Sequence, residues 1–229
     1  GATLALDGVD IAVRPGEVHA LLGENGAGKS TLMGILSGDV RPDRGEMVLD
    51  GAPYSPSAPL EARQRGVALI HQELSLCAHL SVTDNVLLGN EVSRHGWIDR
   101  AGARARARQL LEELPHPEIH PDKRLGDLSL PARQIVEICR ALASDARVLL
   151  MDEPTSSLQG ADVDRLFALI RRLAARGIAI IYISHFLEEV RQIADNFTVL
   201  RDGRSVGSGT IAGTTNEELI SRMVGRSSE

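Results

Sequence analysis

The residues GENGAGKST, numbered 23–31, form the most informative pattern in this sequence. They fit G-x-x-x-x-G-K-[ST], which has structural meaning only between a strand and a helix. The apolar run 18–22 before the pattern and the periodic segment 29–36 after it supply that context. Glycines in such a loop let successive backbone N–H groups surround a phosphate, and the helix start adds positive partial charge. The stretch therefore predicts a strand, a loop and a helix that bind a phosphate.

Individual residues of this loop have separate expected tasks. Lys29 is expected to reach the β- and γ-phosphates of a nucleotide, and Ser30 to bind Mg²⁺. The chain has 25 basic residues, of which only Lys29 and Lys123 are lysines. Lysine at a position that needs a compact charge, in a chain that otherwise uses arginine, supports the prediction. The expected cradle comprises Gly23, Glu24, Asn25, Gly26, Ala27, Gly28, Lys29, Ser30 and Thr31.

Two adjacent carboxylates end a second apolar run in RVLLMDEP, residues 147–154. At the carboxyl end of a buried strand, Asp152 is expected to face the ligand crevice and to hold Mg²⁺. Neighbouring residues on a strand point in opposite directions, so Glu153 is expected to orient or deprotonate a water. Taken alone, the pair is more often a solvated strand end. The phosphate loop upstream reverses that preference.

Two further polar residues follow buried runs. His185, in IIYISHFLEEV, is expected to contact a γ-phosphate or the attacking water. Gln72, after the buried run 67–70, has an amide suited to Mg²⁺ or water. Taken singly, His185 is more often a structural turn residue, and the same ordinary interpretation applies to Gln72.

Composition limits the classes of function. The 229 residues are 43% hydrophobic and 24% charged, as in soluble globular proteins. A net charge of −6 argues against nucleic acid as the main partner. Two cysteines make a disulfide framework improbable and favour a reducing cytoplasm. The sequence shows neither a signal-peptide pattern nor an apolar run long enough to span a bilayer, so membrane contact is expected through a partner.

The order of patterns predicts an α/β fold in which a mostly parallel sheet is wound with helices. Residues 4–13 and 18–22 are expected to pair as a hairpin around Pro15 and Gly16. Strand patterns are absent between about 81 and 142, which predicts a helical insert. The remaining expected strands are 46–49, 67–70, 148–151 and 178–183, with a closing hairpin over 198–206, and the expected helices are 29–36, 101–114, 133–142, 163–175, 187–194 and 216–224.

Together these motifs resemble the nucleotide-binding domain of ATP-binding cassette (ABC) transporters over essentially the whole chain. GENGAGKSTLM, IHQEL, MDEPTSSL and ISHFLEEV are most similar to the ATPase subunits of bacterial monosaccharide importers. The resemblance implies a P-loop core over 1–75 and 145–229, an antiparallel β subdomain and a helical subdomain over about 76–144. It also implies ATP and Mg²⁺ as cofactors, with Glu153 and His185 catalytic.

The resemblance further implies that Ser30, Gln72 and Asp152 hold the metal, and that Gln72 senses the transporter. Cassettes of this family work as head-to-tail pairs in which each ATP contacts one phosphate loop and the partner's signature helix. The implied partners are a second cassette, transmembrane permease subunits and, indirectly, a periplasmic sugar-binding protein. The implied location is the cytoplasmic face of the inner membrane. Only one phosphate loop is present, so the chain is interpreted as the amino-terminal cassette of a longer protein.

The segment 128–134, LSLPARQ, departs from the family's signature, which is usually Leu-Ser-Gly-Gly-Gln. Ser129 is expected to cap a helix and to keep some contact with an anion. Pro131 replaces the second glycine, whose N–H would reach the partner's γ-phosphate in the family, and proline has no N–H. Gln159 stands where aspartate is usual. These departures predict a weak composite site. They also leave open a regulatory cassette with little hydrolysis, or a soluble non-transport cassette.

Overall fold

The computed structural model describes residues 4–71, 75–91, 93–94, 97–112, 114, 116 and 119–225, and Gln72 lies outside them. The strands are β1 (Val18–Leu22), β2 (Val48–Leu49), β3 (Ala52–Pro53), β4 (Val67–Ile70), β5 (Ser93–Arg94), β6 (Trp97–Ile98), β7 (Val148–Asp152), β8 (Ala179–Ile183), β9 (Asn196–Arg201) and β10 (Arg204–Thr210). The helices are α1 (Lys29–Ser37), α2 (Pro59–Gln64), α3 (Val82–Leu87), α4 (Arg100–Glu112), α5 (Leu130–Ala143), α6 (Ala161–Ala175), α7 (Leu187–Ile193) and α8 (Asn216–Val224), with a 3₁₀ turn at Leu125–Asp127.

The central sheet has six strands in the order β10-β9-β1-β8-β7-β4. Every pairing is parallel except that of β10 with β9. All residues of β1 and β8 are buried, as expected for central strands covered on both faces. Because parallel strands end at the same edge, the loops after β1, β7 and β8 meet there. These loops carry the predicted phosphate loop, the acidic pair and His185.

The predicted amino-terminal hairpin is wrong. β1 pairs in parallel with β8 and β9 and has no strand from residues 4–13 beside it. The segment lies against the β9–β10 turn instead, where the Asp7 N–H donates to the Gly203 carbonyl and Arg204 forms an ion pair with Asp7. Its apolar side chains pack on the core. Half-buried extended chain gives the same alternation as a strand, which is why the pattern misled.

Among the described strands, three pairs are antiparallel. β9 and β10 form the expected closing hairpin around Asp202 and Gly203. β2 pairs with β3, so the strand predicted at 46–49 is present but limited to its last two residues. A third hairpin, β5 with β6, lies inside the segment for which only helices were predicted. Strands of two residues are too short to show a periodic pattern.

The helices of the segment 81–143 pack on one another. α3 contacts both α4 and α5, and α5 also contacts β4. One cluster of buried apolar residues runs from these helices to the central strands. Among the described residues, no helix combines the length and apolar character needed to cross a bilayer. The helices therefore pack as part of the same core that supports the sheet.

Candidate functional site

The loop between β1 and α1 has a backbone that requires glycine. Gly23, Gly26 and Gly28 have φ angles of 152°, 84° and 103°. A Cβ on Gly23 would lie 2.4 Å from the Leu200 carbonyl oxygen, and one on Gly28 would lie 2.5 Å from Leu6 Cδ2. A Cβ on Gly26 would meet nothing within 4 Å. Gly23 and Gly28 thus permit close packing of the loop, whereas Gly26 serves only its left-handed turn.

Lys29 begins α1 and folds back over this loop. Its Nζ donates to the carbonyl oxygens of Gly23 at 2.8 Å and Glu24 at 3.1 Å. The first N–H groups of a helix have no intrahelical partner, and the earliest intrahelical bond of α1 runs from Leu32 N to Gly28 O. Ser30 is exposed beside them. An ammonium group and backbone donors without an intrahelical partner therefore belong to the same loop and helix start, as a bound phosphate requires.

The backbone leaves the strand conformation between the two adjacent carboxylates, Asp152 and Glu153. β7 ends at Asp152, and Glu153 has a left-handed backbone with φ of 45°. The Glu153 N–H donates to the Ile183 carbonyl at 3.0 Å, across to the end of β8. A non-glycine residue in this region is strained, and such strain concentrates at functional sites. Glu153 therefore stands on a turn and not on a continuing strand, so the strand alternation predicted for the pair does not apply.

His185 meets Glu153 at this edge. Its Nδ1 lies 3.2 Å from Glu153 Oε1, and its ring stacks at a tilt on Phe186 with centroids 3.9 Å apart. The His185 side chain is 52% exposed, and that of Glu153 is 24% exposed. The histidine can therefore orient the carboxylate and still contact a ligand from solvent.

Charges at this edge interact through a partly dehydrated environment. Burial lowers the pKa of Lys29, and the negative charges of Glu153 and Asp152 oppose that shift. Burial also raises the pKa of Asp152; Glu153 adds to the rise, while Lys29 and His71 oppose it. The lysine and both carboxylates therefore share one electrostatic environment. Cationic charge brought near Asp152 would favour its ionised form.

The donor set is suited to magnesium. Ser30 offers a hydroxyl at the helix start, and Asp152 a carboxylate whose pKa is raised by burial and by Glu153. Hard oxygen ligands of this type are those that Mg²⁺ prefers. Ser30 and Asp152 therefore fit the metal that the sequence predicts.

Ser129 caps α5, as one of its two predicted roles requires. Its Oγ accepts from the Ala132 N–H at 3.4 Å, and Pro131 occupies the first turn. Arg133 ties the same turn to the preceding loop by donating to the carbonyls of Leu128 and Gly126. The anion contact of Ser129 stays a prediction.

Sequence reasoning missed two buried links near the site. Gln134, which is 7% exposed, donates through Nε2 to the Pro154 carbonyl, next to Glu153. Glu189 accepts hydrogen bonds from three side chains around the acidic pair and His185. In the sequence, only its position four residues after His185 could have indicated a role for Glu189. Its three partners lie in the loop after β7, in β8 and just after β8, and only the fold brings these segments together.

The chain matches known proteins along its whole length. The model of the family described as ABC transporter matches residues 6–156. The chain is 50% identical over 226 residues to the ribose import ATP-binding protein RbsA 1 of Rubrobacter xylanophilus, which covers 99% of this chain and 45% of that protein. It is 49% identical over 223 residues to a putative ribose/galactose/methyl galactoside import ATP-binding protein of Burkholderia ambifaria, which covers 97% and 43%. The chain thus spans less than half the length of these relatives.

Solved structures agree with the sequence comparison. A nucleotide-free ATP-binding cassette from an ABC transporter superposes with a TM-score of 0.82 at 27% identity, covering 99% of this chain and 91% of that one. The ADP conformation of MJ1267, an ATP-binding cassette of an ABC transporter, superposes with a TM-score of 0.78 at 26% identity, covering 95% of this chain and 87% of that one. The family model, the relatives and the fold all support one assignment: this chain belongs to the ABC transporter family of ATP-binding cassettes.

Proposed function

We propose that this chain is the ATP-hydrolysing cassette of an ABC importer for a monosaccharide. The main support is that four side chains lie together at one edge of the sheet: Lys29, Asp152, Glu153 and His185. The names of the relatives, which are import proteins for ribose or galactose, support the transport class. ATP is the nucleotide that the family uses, and Mg²⁺ is its metal.

The chain's own residues have distinct tasks in this proposal. The backbone N–H groups of residues 23–31 and the Lys29 ammonium bind the triphosphate, and Lys29 exchanges its present carbonyl partners for phosphate oxygens. Ser30 and Asp152 hold Mg²⁺, together with Gln72. When bound, the metal neutralises phosphate charge.

Glu153 and His185 act on the attacking water and the terminal phosphate. The Glu153 carboxylate accepts a hydrogen bond from the water and orients it. His185 keeps one ring nitrogen on Glu153, at 3.2 Å, which leaves its second nitrogen for the terminal phosphate. Catalysis of this kind depends on positioning and electrostatics.

Amine labelling tests the phosphate site with an internal control. Lys29 and Lys123 are the only lysines, and Lys123 is exposed. MgATP is expected to protect Lys29 from an amine-reactive reagent while Lys123 reacts as before. Mass spectrometry of the digested chain measures both rates. Equal labelling of Lys29 with and without nucleotide contradicts the site.

Glu153→Gln tests catalysis separately from binding. The assembled transporter with this variant is expected to keep nucleotide binding and to lose turnover. Retained turnover contradicts the role of Glu153. ATP binding without turnover in the unsubstituted chain as well would instead indicate a regulatory cassette.

The departures near Ser129 form the finer part of the proposal: one composite ATP site is weak. In a head-to-tail pair, Pro131 offers no N–H to the partner's γ-phosphate. A hydrogen bond to a charged group contributes about 1.5–3 kcal/mol, which corresponds to roughly 10- to 150-fold in binding. Leu130→Gly with Pro131→Gly is expected to raise turnover of the assembled transporter. Unchanged turnover contradicts the weak site.

The permease is expected to contact the surface around residues 75–80 and the neighbouring helices, at the cytoplasmic face of the membrane. In a background without Cys77 and Cys139, a cysteine at Leu80 should cross-link to a permease subunit. A cysteine at Val224, which is exposed on α8, serves as the control. Equal cross-linking at the two positions contradicts this docking surface. A periplasmic sugar-binding protein is the indirect partner, and ATPase stimulation by candidate sugars identifies the substrate.

A further inference from the structure

Glu189 lies in the first turn of α7 and gathers three hydrogen bonds on a single oxygen. Its Oε2 accepts from Thr155 Oγ1 at 2.7 Å, from Tyr182 OH at 2.9 Å and from Ser184 Oγ at 2.9 Å. Thr155, Tyr182 and Ser184 are all buried, at 5%, 0% and 4% exposure. Buried hydroxyl groups need partners, and a carboxylate is the strongest acceptor available to them.

The three donors belong to the two segments that carry the proposed catalytic side chains. Thr155 follows Glu153 by two residues, and Ser184 immediately precedes His185. Ser184 also accepts from the Phe186 N–H at 3.0 Å, so its hydroxyl braces the backbone on both sides of His185. One carboxylate on α7 therefore connects the turn of Glu153 with the turn of His185.

The turn that carries Glu153 is strained. Glu153 has a left-handed φ of 45°, and its N–H reaches the Ile183 carbonyl. A strained turn persists only where its surroundings hold it. The hydroxyl of Thr155 and its bond to Glu189 are such a restraint, placed on the far side of the turn from β7.

We infer that Glu189 is a positioning residue for ATP hydrolysis: by binding Thr155 and Ser184 together, it sets the relation between the Glu153 and His185 side chains. This inference rests on the proposed function. Glu189 itself contacts neither nucleotide nor water in this role. The phosphate loop lies outside its contacts among the described residues, so ATP binding does not depend on it.

Turnover of the assembled transporter tests the inference through the split between kcat and KM. Misplacement of catalytic groups by about 1 Å costs up to roughly 100-fold, so Glu189→Ala is expected to lower kcat by about tenfold or more. The KM for ATP should stay within about twofold, since the cradle is untouched. Glu189→Gln keeps an acceptor oxygen and should retain a larger share of kcat. Glu188→Ala, one residue earlier and exposed, is the matched control and should match the unsubstituted protein.

A double substitution separates positioning from general destabilisation. Thr155→Val alone should lower kcat, and it should lower it no further in the Glu189→Ala background, because both changes remove the same link. If Glu189→Ala prevents assembly of the transporter, Glu189→Gln and Thr155→Val are measured instead. Each should lower kcat while the KM for ATP stays the same.

Three results overturn the inference: a kcat for Glu189→Ala equal to that of Glu188→Ala, a parallel change of kcat, KM and melting temperature, or independent effects of Thr155 and Glu189. Full turnover in Glu153→Gln rejects the proposed function itself. Loss of turnover in Glu153→Gln with normal turnover in Glu189→Ala rejects the positioning role alone.

Discussion

Replacing Glu153 by asparagine should make the chain more stable than replacing it by glutamine. Both variants remove the charge that raises the pKa of Asp152, so that repulsion cancels in the comparison. They differ in how well the residue accepts the left-handed φ of 45°. Asparagine is several-fold enriched in this region over other non-glycine residues.

The size of the difference follows from that enrichment. A three- to five-fold preference corresponds to about 0.6–1 kcal/mol in the free energy of unfolding. For a chain of 229 residues, each kcal/mol shifts the melting temperature by about 2–4 °C. Glu153→Asn is therefore expected to melt about 1–4 °C above Glu153→Gln, while neither variant hydrolyses ATP.

Scanning calorimetry of the nucleotide-free chain measures this difference. Glutamine can still reach His185, so the pair is also compared in a His185→Ala background, where that contact is gone. The same exchange at Glu188, which lies in a helix, is the control and should give asparagine no advantage. A melting temperature of Glu153→Asn at or below that of Glu153→Gln in both backgrounds would refute strain at this turn.

Three more outcomes follow from the structure. Burial raises the pKa of Glu17, but its hydrogen bonds, the largest of them with His19, outweigh burial and leave the pKa below its usual value. The stability that Glu17→Gln removes should therefore be fully present above the pKa of the unfolded chain and disappear as the pH falls through the lower pKa of the folded state. Urea titrations at a series of pH values measure this loss. Leu150→Ala, at 0% exposure in β7, should cost about 2–5 kcal/mol of unfolding free energy in the same assay. Gly26→Ala should cost about 1–2 kcal/mol from its positive φ alone, whereas Gly23→Ala should cost more because of its clash, and similar midpoints in thermal melts would contradict this reading.

Much of the fold could be predicted because strong patterns are local. The buried strand at 67–70 and the helix at 216–224 have the predicted bounds, since each lies between clear boundary residues. The amino-terminal segment could not be predicted correctly, because its partner, the β9–β10 turn, lies 195–197 residues away in sequence. Alternating residues indicate that one side is buried but not what covers it.

The candidate site, like the fold, could be predicted only in part. The phosphate loop, the acidic pair and His185 could be predicted, because each follows a buried strand and parallel strands end together. The left-handed turn at Glu153 could not, since it depends on the bond to Ile183. Nor could Glu189, whose partners lie on two other segments.

The hydrogen bond from Gln134 to Pro154 limits how freely α5 can move. α5 begins beside Ser129, and Pro154 adjoins the carboxylate at the end of β7. Sliding α5 away from the sheet would leave a buried amide and a buried carbonyl unpaired, at about 1–3 kcal/mol each. Displacement of the start of α5 therefore strains the turn at Glu153, and displacement of that turn strains the helix start at Ser129.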